Sequence, residues 1–154
     1  MTVPSVLVVG DGMAGCVAAV ALAGRGIDVA LIERSPQWGS ETQDVVLDAA
    51  ARRALERVGA LPAGSENGAP ARMDPREVER TLIDLLRQHG VEVRMGLSLV
   101  GSLDLGTHVE AELSNAQVEN FDAVVDARRI RVDEALALAD ALLAKVTAQS
   151  RSEP

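Results

Sequence analysis

Tyrosine is absent from this 154-residue sequence, and Trp38 and Phe121 are its only aromatic side chains. Proteins that hold single-stranded nucleic acid stack bases on aromatic side chains inside a basic groove. Here 23 Asp+Glu outweigh 15 Lys+Arg, for a formal charge of -8, so the phosphate-neutralising footprint is missing as well. With one cysteine, Cys16, and two histidines, His89 and His108, the chain can build neither an internal disulfide nor a structural zinc site. No apolar run approaches the ~18–20 residues of a membrane span, because the stretch 3–23 is interrupted by Gly10, Asp11, Gly12 and Gly15. Nor does the start resemble a secretory leader, since its apolar run begins without a basic segment and ends in a glycine turn. The expectation is a cytoplasmic protein that takes a small-molecule ligand, with no nucleic acid, no membrane and no metal.

What is present is a 47% hydrophobic composition on one domain's length of chain. A chain of this size buries about 68–70% of its unfolded surface, so a core forms without staples. Residues 1–154 are expected to make a single compact domain. Residues 3–9 are a β-branched run bounded by Gly10, the pattern of a strand buried on both faces of a parallel sheet. Residues 13–25 predict a helix whose Ala14, Ala18, Ala19, Ala21 and Ala23 leave little bulk between it and the sheet. Residues 28–33 predict a second buried strand, completing a strand-helix-strand unit of ~30 residues. Farther on, the pattern predicts a helix over 44–58, a loop over 62–72, and a helix with Asp74 as cap and Pro75 and Glu77 in its first turn. A strand over 91–95 follows, then a hairpin of 97–103 and 107–113, a strand over 121–126 and a helix over 132–148. The fold class is α/β: a Rossmann-like three-layer arrangement around a parallel sheet, with a small antiparallel meander and a C-terminal helix.

Gly10-Asp11-Gly12-Met13-Ala14-Gly15 fits G-x-G-x-x-G between a buried strand and a helix, and Glu33 stands at the tip of the next strand, 18 residues beyond Gly15. In such a turn Gly10 makes the tight bend, Gly12 lets a pyrophosphate approach the backbone, and Gly15 lets helix and strand pack closely. The amides at the helix start, through Met13 and Ala14, face the phosphates. Glu33 would accept hydrogen bonds from a ribose diol, and its charge would repel a 2′-phosphate, which argues against NADP. Asp11 is discordant, because it puts a carboxylate beside the phosphates.

The chain resembles the class A flavoprotein monooxygenases, the para-hydroxybenzoate hydroxylase-like family that binds FAD. The residues that carry the likeness are 6–15, then Val29-Ala30-Leu31-Ile32-Glu33-Arg34, Ala54-Leu55-Glu56-Arg57-Val58-Gly59, Arg76 with Leu82, and Gly90-Val91-Glu92-Val93. The resemblance covers roughly 3–126 and implies FAD as cofactor, held by Gly10, Gly12, Met13, Ala14, Gly15, Glu33 and Arg34. Two departures stand out. Where the family follows its strand with Ala-Asp-Gly, this chain has Asp126-Ala127-Arg128-Arg129, and the second flavin motif, a Gly-Asp before the last helix, is missing. The sequence looks like a family member whose substrate domain has been deleted and its ends rejoined. Flavin hydroxylation needs a dry pocket, and no residues for one can be assigned.

The remaining chemistry-bearing side chains have plainer roles beside the functional ones. Cys16 lies near a helix start that would lower its pKa, but it fits better as a small packing residue like its alanine neighbours. His89 complements a helix C-terminus, or acts as a base. His108 lies in the hairpin beside Glu110. Asp44 and Asp48, four apart on one expected helix face, make either an acid/base pair or a solvated first turn. Arg128, Arg129 and Arg131 follow a strand's C-terminal end, where ligands collect in open α/β sheets, and either bind an anion or form a solvated turn. Three functions follow: a reduced FAD-binding oxidoreductase domain of the monooxygenase-like kind; a cofactor-independent cyclase or isomerase, of the sort found in secondary metabolism, on the same scaffold; and a non-catalytic subunit whose exposed apolar surface is covered by a second copy or a partner chain. The catalytic residues are unassigned.

Overall fold

The structure is a computed structural model that describes residues 3–10, 12–35, 45–61, 71–73 and 75–152. Asp11, Trp38, Asp44 and Asp74 therefore lie outside the described residues. Four parallel strands form the central sheet: β1 (Ser5–Gly10), β2 (Asp28–Glu33), β5 (Glu92–Met95) and β9 (Ala123–Asp126), in the order β5-β2-β1-β9. Between them in sequence come α1 (Met13–Ala23), β3 (Val45–Leu47), α2 (Ala49–Arg57), β4 (Ala71–Met73) and α3 (Pro75–Gln88), and then β6 (Leu99–Asp104), β7 (Val109–Leu113) and β8 (Val118–Phe121). The last element is α4 (Val132–Ser152).

The central sheet is buried on both faces, as its continuous apolar strands require. On one face Val6, Val8, Val29, Leu31 and Val125 pack against the helices; on the other Leu7, Val9, Ala30 and Ile32 pack against Ala111, Leu113 and Phe121 of the antiparallel sheet β6-β7-β8. Helices, parallel sheet and meander are thus three layers, as the sequence pattern predicts. The helix α1 is buried along almost its whole length, from Met13 to Leu22, because the sheet lies on one side and α3 and α4 on others. Its alanines and glycine leave room for this, and Cys16, fully buried among them, is a packing residue. Burial pushes its thiol well above the ordinary range, with Glu79 and Glu33 adding to the rise.

Three expected elements differ. The helix over 44–58 begins only at Ala49: Asp48, in extended conformation, caps it by accepting from the Ala51 amide at 2.9 Å. The preceding Val45–Leu47 pairs with Ala71–Met73 in a two-stranded antiparallel sheet, so part of the expected loop is a strand, and Asp48 is a helix cap rather than a residue of a helix face. On α2, Arg52 is buried rather than solvated, and it is not without a partner. The strand over 121–126 is two strands. At Asp122 the chain leaves β7 and joins β1: its amide donates to the Ser5 carbonyl at 2.8 Å and its carboxylate accepts from the Ser5 amide at 2.7 Å.

Ion pairs fix α4 against α2. Arg57 binds Asp140 through two bonds of 2.7 and 2.8 Å, and Arg131 binds both Asp48 and Asp133. Both α2-to-α4 pairs span 83 residues, the signature of two helices running parallel in one register. The Ala51 amide, and then Arg131, hold the Asp48 carboxyl below its ordinary range. A carboxyl lowered by folding contributes stability above its unfolded pKa and loses it as pH falls through the folded value. Asp48→Ala should therefore lower Tm at pH 7, more than Asp48→Asn, which keeps a cap. The difference should shrink as pH drops below about 4. Melts of the three proteins across pH check it, and equal Tm values at pH 7 would contradict the cap.

Candidate functional site

The register of the sheet places the functional residues in one row. Gly10 lies beside Glu33, Glu33 beside Met95, and Val9 beside Asp126, so the turn, the acid and the arginines all leave from the C-terminal edge of the sheet. Hydrogen bonds tie the loops that follow: Leu97 donates to the Glu33 carbonyl at 3.1 Å, Gly96 to Ser35 at 3.0 Å, and Ala127 to Val9 at 2.8 Å.

The glycine turn has the shape that a dinucleotide cradle needs. A Cβ on Gly15 would stand 2.5 Å from the Gly10 Cα, closer than two carbon atoms approach, so α1 rests directly on the end of β1. Gly12, at φ 82 and ψ -141, occupies a backbone region that is essentially glycine's alone. The N-cap of α1 is Gly12, which has no side chain to bond the helix's first amides, and amides at a helix start suit a ligand. Met13 and Ala14 point into the core, and only their backbone is placed to meet one. These features fit the ADP half of a flavin dinucleotide.

Glu33 is 5% exposed. One carboxylate oxygen accepts from the Gly12 amide and the other from the Ser35 amide, each at 3.2 Å. The acid thus holds the turn in place, and each oxygen keeps a further lone pair able to accept from a hydroxyl.

Beside the turn lies a cleft of about 460 Å³, lined by Val9, Gly10, Arg34, Leu97–Leu99, Asp126, Arg128 and Arg129. The structure divides the arginine cluster. Arg128 turns back onto Asp126 through Nε and Nη2, both at 2.9 Å, which holds the Asp126 carboxyl below its ordinary range. Arg131 is taken by Asp48 and Asp133. Arg129, at φ 60, and Arg34 both stay exposed and have no ion-pair partner among the described residues. The alternatives for the cluster therefore separate by residue: Arg128 and Arg131 are structural ion pairs, and Arg129 has no ion-pair partner among the described residues. Leu97, Ser98 and Leu99 were missed as lining residues; the signal was Gly96, which at φ 74 turns the chain from β5 across the cleft. His89 and His108 lie away from it, His89 at a groove between α1 and α4 and His108 bonded to Thr107. Among the described residues no group of side chains is arranged to hold a metal ion, and no helix is long and apolar enough to cross a membrane.

Residues 5–45 match the model of the FAD-dependent oxidoreductase family. No curated protein matches the chain. Solved structures do. An aromatic hydroxylase from angucycline biosynthesis, CabE, superposes with a TM-score of 0.66 at 22% identity, covering 80% of this chain and 30% of its own. The 2-methyl-3-hydroxypyridine-5-carboxylic acid oxygenase does so with 0.66 at 22%, covering 80% and 39%. A Diels-Alderase in the biosynthetic pathway of pyrroindomycins does so with 0.67 at 17%, covering 81% and 32%. The fold is that of these proteins, and the chain spans about a third of their length. The likeness to flavin-dependent oxidoreductases that the sequence carries is thereby upheld.

Because the Gly10–Gly15 contact is backbone on backbone, Gly15→Ala should cost about 1–3 kcal/mol and lower Tm by several degrees. Thermal melts check it, and an unchanged Tm would show that α1 does not lie on β1 as described.

Proposed function

We propose that the chain binds FAD by its ADP half, at the Gly10, Gly12 and Gly15 turn with the Met13 and Ala14 amides, Glu33 and Arg34, and is the FAD-binding part of a monooxygenase-like oxidoreductase. The observation that carries this is the turn itself: a cradle that Cβ atoms would fill, at the start of an uncapped helix, with an acid in register beside it. The family match over the same residues supports it. A bound flavin would supply the redox chemistry. The chain's residues bind and orient: the α1 amides meet the pyrophosphate, and Glu33 takes the ribose. The domain is one unit over 1–154 in which residues 127–131 alone join β9 to α4, which supports the loss of an inserted substrate domain.

A second reading keeps the scaffold and drops the cofactor. It makes the cleft the site of a cyclase or isomerase, supported by Arg128 and Arg129 in place of Asp-Gly and by the fold shared with a Diels-Alderase. A covering partner or a second copy is supported by Val100, Leu103, Leu105 and Val118, large apolar side chains exposed on or beside the meander.

Flavin fluorescence on addition of the chain tests the first reading. FAD should bind, ADP should displace it and riboflavin should not, and Gly12→Val should abolish binding with the far-ultraviolet circular dichroism unchanged. Displacement by riboflavin, or no binding at all, would sink it in favour of the cofactor-independent enzyme. Light scattering over a concentration series should give a mass above one chain if the meander is covered, and a single-chain mass at every concentration would discard that surface.

A further inference from the structure

The cleft at the C-terminal edge of the sheet carries a charge that the nucleotide turn does not need. Of the four described ionisable side chains lining it, Asp126 and Arg128 neutralise each other through two bonds of 2.9 Å. That leaves Arg34 and Arg129, one on each side of β1's end, facing the same space with no acidic partner among the described residues. In a chain with a formal charge of -8, two guanidinium groups left unpaired around one cavity are an exception to the acidic balance of the rest. The backbone adds an independent sign. Arg129 sits at φ 60, a conformation that glycine adopts freely and a side chain of this size adopts at a cost. The turn would be satisfied better by a glycine, so what the arginine brings there is its side chain.

We propose that Arg129, with Arg34 opposite, is an oxyanion-binding pair that fixes a phosphate or carboxylate group of the cleft's ligand. Guanidinium forks suit both groups, through paired N–H donors. The proposal shares Arg34 with the flavin reading and adds Arg129, which that reading does not use; the pair suits the phosphate of a nucleotide as well as an organic acid.

Titration calorimetry of the full chain with inorganic phosphate and with benzoate, at low salt in a buffer without oxyanions, tests it. At least one of the two should bind. Arg129→Gly should weaken that binding roughly tenfold or more while leaving Tm equal or higher, since glycine relieves the left-handed backbone. Arg129→Lys should restore part of it, and Arg34→Ala should weaken it comparably. The Arg129 variants titrated with FAD identify the source of the anion: parallel weakening assigns it to the nucleotide's phosphate, and unchanged FAD affinity assigns it to a second ligand. Gly12→Val separates this proposal from the flavin reading, because it should remove FAD binding and leave phosphate binding in place. Unchanged affinity for both anions in Arg129→Gly, or no binding of either anion to the unaltered chain, would overturn it.

Discussion

The contact between Gly10 and Gly15 is the constraint on which the rest of the architecture depends. With no Cβ at either position, the first turn of α1 rests on the last residue of β1, and a side chain at Gly15 would have to occupy the space of a backbone atom. From that contact follow the burial of α1, its alanine-rich composition and the need for helices to cover its other sides. It also brings the start of α1 to the C-terminal edge of the sheet, beside Glu33 at the end of β2 and Asp126 at the end of β9.

Glu33 connects this packing constraint to the chemistry. A buried carboxylate is costly unless its oxygens are satisfied, and here both are bonded to backbone amides, one of them in the glycine turn. The acid therefore has a structural role of its own: it holds the glycine turn to the end of β2. Under the proposed function the same side chain would couple the conformation of the turn to the binding of a ribose, which would keep the loop preorganised.

Much of this was legible in the sequence because local rules agree with tertiary ones along the first strand-helix-strand unit. The β-branched run before Gly10, the spacing of the three glycines and the acid at residue 33 all report the same geometry. The layers were legible too, from continuous apolar strands beside alternating ones. What was not legible has specific causes. The start of α2 was placed too early because Val45 and Val46 fit a helix face as well as a strand, and only pairing with Ala71–Met73 decides between them. The break at Asp122 is invisible in an apolar-rich stretch, since it comes from Ser5, a residue 117 positions away. The arginine cluster could not be sorted from composition, because which guanidinium is free depends on where Asp126, Asp48 and Asp133 fall in space.

The switch of one continuous segment from the meander to the parallel sheet bears on how the molecule assembles. β1 has β2 as one neighbour, available as soon as the first unit is made, but its other neighbour is β9, across a separation of more than a hundred residues. Closing that gap costs chain entropy before any contact rewards it. Since α4, which buries the outer side of α1, comes later still, the strand and turn over residues 5–15 are made well before the segments that enclose them. The glycine turn therefore acquires its rigid surroundings only when the segments that follow residue 120 have docked.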